Sequence, residues 1–175
     1  MVFEAMAPQL DEKELQWQLR DQPVETLALA LAEAKSKSLA AGDPNSVIIG
    51  ADQTLTLNGK IFHKPNNRQE AETQLKSLRG KTHTLTSAIC CNLGGKIIWR
   101  FTDQASLTMR DYTEDFLTNY LGNAKDDILS SVGCYKLEAE GIQLFETIKG
   151  DYFTILGFPV LPLLKFLRSR EILTS

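Results

Sequence analysis

A chain of 175 residues, 43% hydrophobic and 23% charged, has the length and composition of one globular domain able to bury a core without disulfides. Its net charge of −3, with no basic block, argues against a duplex nucleic-acid surface, while a few local cations would still suffice for a small anionic ligand. No stretch reaches the roughly 18 apolar residues of a membrane span, and no basic-then-apolar leader is visible. The three cysteines, Cys90, Cys91 and Cys134, lack metal-binding spacing, so a reducing, cytoplasmic setting is expected.

In chain order, Val2-Phe3-Glu4-Ala5 predicts a short opening strand. Asp11-Glu12 then opens a polar segment through Gln22, and two adjacent carboxylates there fit either a metal or water site or solvated loop charge. Residues 23–41 read as a helix, with Pro23 in the first turn and Gly42 at C′. Leu27, Leu31, Lys35 and Leu39 share one i, i+4 row. A lysine in that row either reaches a phosphate or lays its stem over the core with its head in water.

Residues 47–65 are the stretch the chain is organised around. The apolar run 47–51 predicts a strand buried on both faces that delivers Asp52 to its C-terminal end. Asn58-Gly59, flanked by apolar arms, predicts a tight hairpin, and its return arm ends in His63-Lys64-Pro65. An acid and an ammonium meeting there would suit a phosphate and its metal; a surface hairpin with a solvated lysine fits the pattern equally.

Asn67-Arg68-Gln69-Glu70 is a capping box for a helix ending at Gly80. Residues 82–93 and 96–101 predict a hairpin turned at Gly94-Gly95 and extending towards Met109, with His83 read as a satisfied polar residue rather than a base or metal ligand. Thr113 caps a helix ending near Gly122, 142–145 and 152–156 predict strands, and Pro159 or Pro162 starts the last helix. Helices alternating with hairpins predict an α/β fold with a mixed sheet.

With these pieces laid out, the chain resembles the Maf family of nucleotide pyrophosphatases. The resemblance rests on Leu31-Ala32-Glu33-Ala34-Lys35-Ser36, Ile49-Gly50-Ala51-Asp52-Gln53-Thr54, His63-Lys64-Pro65 and Leu78-Arg79-Gly80-Lys81-Thr82-His83. Ser131-Val132-Gly133-Cys134-Tyr135-Lys136-Leu137-Glu138, Gly150-Asp151-Tyr152-Phe153-Thr154 and Leu156-Gly157-Phe158-Pro159 complete it, in family order across nearly the whole chain. It implies an elongated α/β fold with a central cleft, a homodimer, and metal-dependent hydrolysis of non-standard nucleoside triphosphates to monophosphate and pyrophosphate.

By the same resemblance, Asp52 would be the general base or a metal ligand, Lys35 and Lys64 would bind phosphate, and Glu12 would line the cleft. Glu12 and Asp52 would together hold Mg²⁺ or Mn²⁺. Glu138 stands where relatives acting on uridine and thymidine nucleotides tend to carry Gln, and Leu137-Glu138-x-x-Gly141 resembles the branch acting on 7-methyl-GTP. A carboxylate accepts from the adjacent N1–H and N2 amino groups of guanine; uracil offers one donor flanked by acceptors. The chain departs from the family in lacking a Ser-x-x-x-Arg loop before Asp11, a difference of roughly 20–30 residues with its strand and helix. On that ground the 175-residue form is expected to be poorly stable and nearly inactive. The rival class is a nucleotide-binding septum-formation regulator without catalysis. A dehalogenase-like phosphatase would want Asp where Thr54 stands.

Overall fold

Strand β3 (Thr82–Leu93) carries the run Ala88, Ile89, Cys90 and Cys91, all fully buried, because successive residues on a strand face opposite sides and both sides are covered. The computed structural model describes residues 3–19, 22–39 and 45–174. Its strands are β1 (Val47–Leu57), β2 (Lys60–Phe62), β3, β4 (Lys96–Met109) and β5 (Phe145–Lys149), in the spatial order β2-β1-β3-β4-β5. The helices are α1 (Glu12–Gln18), α2 (Val24–Ser38), α3 (Arg68–Leu78), α4 (Glu114–Ala124), α5 (Tyr152–Ile155) and α6 (Val160–Ser169).

The chain divides into two compact units. In the first (residues 1–53, 86–103 and 157–175), α2 sets Ala28 and Ala32 against Ala88 and Cys90 on one sheet face. On the other face, α6 sets Leu163 and Leu167 against Ile89 and Cys91, with Val47, Ile49 and Ala51 of β1 alongside. In the second unit (54–85 and 104–156), α3 and α4 bury Leu75, Leu78 and Leu117 with Leu85, Leu107 and Met109.

Local chemistry explains most boundaries. Asn58 (φ 51°) and Gly59 (φ 77°) make the positive-φ turn that pairs Leu55 with Phe62 and Leu57 with Lys60. The Asn67 side chain accepts from Glu70 N at 2.9 Å, and Glu70 reaches back to Asn66 N at 2.8 Å, a capping box displaced by one residue. Gly94 and Gly95 turn β3 into β4 with φ of 54° and 81°.

Several expectations are corrected. The α/β class holds, but the sheet is antiparallel rather than mixed, since hairpins at 58–59 and 94–95 and the antiparallel β4–β5 pair set its strand directions. The opening strand is absent from residues 3–8, which are irregular and leave Phe3 77% exposed; Val2 lies outside the described residues, as does Gly42. The polar segment after Asp11 contains α1. Its signal was Asp11-x-x-Glu14, and Glu14 N donates to Asp11 Oδ1 at 3.1 Å. The strand expected over 142–145 begins only at Phe145, after a turn of 3-10 helix (Glu140–Leu144). The strand expected over 152–156 is instead the short helix α5, because Asp151 accepts from Phe153 N and Thr154 N and so nucleates a helical turn.

Candidate functional site

Asp52 does not stand at a strand end. It projects from the middle of β1, which continues to Leu57, and the crevice beyond a strand terminus is replaced by a position on the sheet face. Alternation puts Asp52 on the same side as Gly50, the side that α2 covers. A Cβ built on Gly50 would stand 2.2 Å from the Ala32 carbonyl oxygen and 2.9 Å from Ser36 Cβ, so helix and strand backbones are in contact there. Lys35 lies three residues, one turn, beyond Ala32 and so reaches along this face. Its Nζ donates to Asp52 Oδ1 at 2.5 Å and lies 3.0 Å from Glu12 Oε1 on α1.

Glu12, Lys35 and Asp52, read as candidates from the sequence, thus meet in the first unit. The Asp52 and Lys35 side chains are 13% and 19% exposed and Glu12 44%, leaving the cluster open on the Glu12 side. Burial works against the Lys35 ammonium. Hydrogen bonds and charge from Asp52 and Glu12 outweigh it and hold the lysine above its usual pKa. Lys35 therefore stays charged at neutral pH. Two carboxylates and an ammonium in one half-buried cluster can anchor a cation, hold a phosphate and orient a water. The oxygen donors of Glu12 and Asp52 fit a hard divalent cation that draws further ligands from substrate phosphates. Among the described residues no group of three or more His, Cys, Asp or Glu forms a metal cage by itself.

Lys64 and Glu138 lie in the second unit. Lys64 is exposed beside the buried Pro65, and neither Lys64 nor Glu138 makes an ion pair with another described residue. Glu138 sits on a closely built segment. Gly133 (φ 79°) has Leu55 Cδ1 and Tyr135 Cε1 within 2.6 Å of a would-be Cβ, and Cys134 adopts φ 62° while fully buried. Tyr120 Oη donates to Cys134 O at 3.0 Å, and Ser131 Oγ donates to Tyr135 O at 2.9 Å. A Cβ on Gly141 would fall 2.4 Å from Lys136 O, which closes the segment on itself.

Sequence reasoning left His83 as a satisfied polar residue, and that reading needs correction. His83 is 1% exposed; its Nε2 is 2.8 Å from the Tyr135 hydroxyl, while its Nδ1 has no partner among the described residues. Burial alone lowers its pKa to about 4, so the ring is neutral. No local pattern could have found this pair, which spans 52 residues of chain. Also in the second unit, a cavity of about 150 Å³ lined by Phe116, Asn119, Tyr120, Asn123, Glu140 and Gln143 contains none of the five candidate residues.

Residues 1–170 match the family described as Maf-like protein. The chain is 45% identical over 170 residues to the 7-methyl-GTP pyrophosphatase of Rhizobium etli, covering 96% of this chain and 85% of that protein. It is 44% identical over 171 residues to the 7-methyl-GTP pyrophosphatase of Brucella abortus, covering 97% and 86%. It is likewise 44% identical to the nucleoside triphosphate pyrophosphatase of Bradyrhizobium diazoefficiens, over 98% and 85% of the two chains. With a family match along almost its full length, the chain belongs to the Maf-like protein family.

Proposed function

We propose that this protein is a nucleoside triphosphate pyrophosphatase that hydrolyses a modified guanine-type nucleotide, 7-methyl-GTP, to the monophosphate and pyrophosphate. Relatives at 44–45% identity bearing those names support the reaction class. The single observation that carries the assignment to residues is the Lys35 ammonium held at 2.5 Å from Asp52 and 3.0 Å from Glu12. Asp52 would orient the attacking water and accept its proton, and Lys35 would turn from the carboxylates to the phosphate oxygens as charge develops there. Lys64 would supply a second cation for the triphosphate. A divalent metal, Mg²⁺ or Mn²⁺, would be held by Asp52 and Glu12 and would supply Lewis-acid stabilisation of the phosphoryl charge. Glu138 would accept from the two adjacent donors of the guanine edge, which uracil cannot match.

The test is pyrophosphate release from ordinary and modified triphosphates with Mg²⁺, Mn²⁺ or chelator. Release that is greatest with 7-methyl-GTP and abolished by chelator is the expected result. Nucleotide binding without release from any triphosphate would favour the regulatory reading. A size measurement in solution tests the proposed homodimer.

A further inference from the structure

An exposed acid on an ordinary loop needs no foundation, yet the segment carrying Glu138 has an elaborate one. Between 131 and 141, Gly133 and Cys134 hold positive φ, at 79° and 62°, and the second of these is unfavourable for a residue with a Cβ. Beneath them Tyr135 is 5% exposed, packed edge-on to Phe145 at 4.8 Å and bonded to His83 at 2.8 Å. Among the described residues, Tyr135 and His83 have no other hydrogen-bond partner for these polar atoms. Whichever ring nitrogen carries the proton, one donor of the pair therefore stays unpaired: either Nδ1–H, or the tyrosine O–H when Nε2–H donates to it. Such a buried, half-satisfied polar pair is costly where an apolar pair of similar shape would fit. What it provides is direction. The bond anchors the hydroxyl end of the Tyr135 ring at His83, and three residues later the chain emerges at Glu138, exposed, with Gly141 folded back onto Lys136.

We infer that His83 and Tyr135 are positioning residues that set base selectivity by fixing the 131–141 segment so that Glu138 presents its carboxylate to the paired donors of a guanine-type base. The inference rests on the assignment of Glu138 made above. Neither residue touches the base; both act through the segment. Loosening the bond lets the carboxylate sample orientations in which one of its two acceptances is lost, a penalty felt by a guanine-type base and not by uracil.

The experiment compares kcat/KM for 7-methyl-GTP with that for UTP in the unaltered protein and in Glu138→Gln, Tyr135→Phe and His83→Gln. The expected result is a fall in the 7-methyl-GTP/UTP ratio of about 3- to 10-fold in Tyr135→Phe, carried by KM rather than kcat, with a fall at least as large in Glu138→Gln. If Tyr135→Phe does not melt cooperatively, His83→Gln gives the same readout. A fall in Glu138→Gln with an unchanged ratio in the folded Tyr135→Phe or His83→Gln overturns the positioning role alone. An unchanged ratio in Glu138→Gln overturns the Glu138 assignment and the inference with it. Loss of activity on both substrates in equal proportion would mark the pair as merely structural, and that also overturns it.

Discussion

In the first unit, Lys35 is brought to Asp52 by opposite charge at 2.5 Å and by a helix lodged against Gly50; in the second, Glu138 has no ion partner among the described residues and takes its position from neutral side chains buried beneath it. The first arrangement can reorganise. An ammonium shared between two partly exposed carboxylates exchanges one oxygen for another at little cost, which suits a group that must follow charge as it moves onto a phosphate. The second is stiffer in its backbone, because moving the segment that carries Glu138 means breaking packing around Gly133 and Tyr135. On the proposed roles, the lesson is that a charge-held cluster would serve the changing part of a reaction, and a packing-held segment the recognition of a part that does not change.

Four measurements would break or sharpen that contrast. The largest effect is expected from Asp52→Asn, which keeps the shape but removes the proton acceptor. Pyrophosphate release should fall by about 10²- to 10⁴-fold, while the thermal midpoint, read by circular dichroism, moves little. Retained turnover would remove Asp52 from the chemistry.

Next comes acid. The pKa of His83 is lowered to about 4 by burial, against about 6.5 when unfolded, so between those values the unfolded chain binds more protons. The stability contributed by keeping the ring neutral is complete above about pH 6.5 and is lost as the pH falls from there towards 4. The total is about 3 kcal/mol, from the size of the shift. Urea unfolding at pH 7.5 and 4.5 should show this dependence, and His83→Gln should flatten it.

Gly50→Ala follows. A Cβ 2.2 Å from Ala32 O must push α2 away from β1, at a cost of about 1–3 kcal/mol. Because the same shift carries Lys35 off Asp52, kcat should drop by more than the stability loss explains at temperatures where the variant is folded. An alanine variant with full kcat would mean that the helix–strand distance does not matter to the site.

The smallest effect belongs to Glu138→Gln. One donor–acceptor mismatch at an exposed residue should cost about 1 kcal/mol of preference for a guanine-type base, with the melting temperature unchanged. Steady-state rates on 7-methyl-GTP and UTP read it directly.

The features legible in the sequence were those whose cause lies within a few residues. Asn58-Gly59 specified its turn because both positions need positive φ, Asn67 and Glu70 specified the start of α3, and Gly94-Gly95 specified the β3–β4 hairpin. Asp11-x-x-Glu14 carried the same kind of signal for α1. Asp151 carried a local signal as well; its cap on α5 outweighed the strand propensity of Tyr152 and Phe153. The candidate cluster was legible only in part. Family resemblance singled out Glu12, Lys35 and Asp52, but the row of Leu27, Leu31 and Lys35 was equally consistent with a solvated lysine.

By itself, then, the sequence determined the α/β class, most turns and helix starts, and the identities of the acids and lysines on offer. Tertiary structure decided that Lys35 bridges two carboxylates, that Asp52 projects from mid-strand, that both faces at 88–91 are covered, and that His83 supports Tyr135. The physical reason is reach. Caps and turns are set by hydrogen bonds over three or four residues, whereas these decisions join residues at least 17 apart in the chain and exist only once α2, α6 and the 131–141 segment have packed onto the sheet.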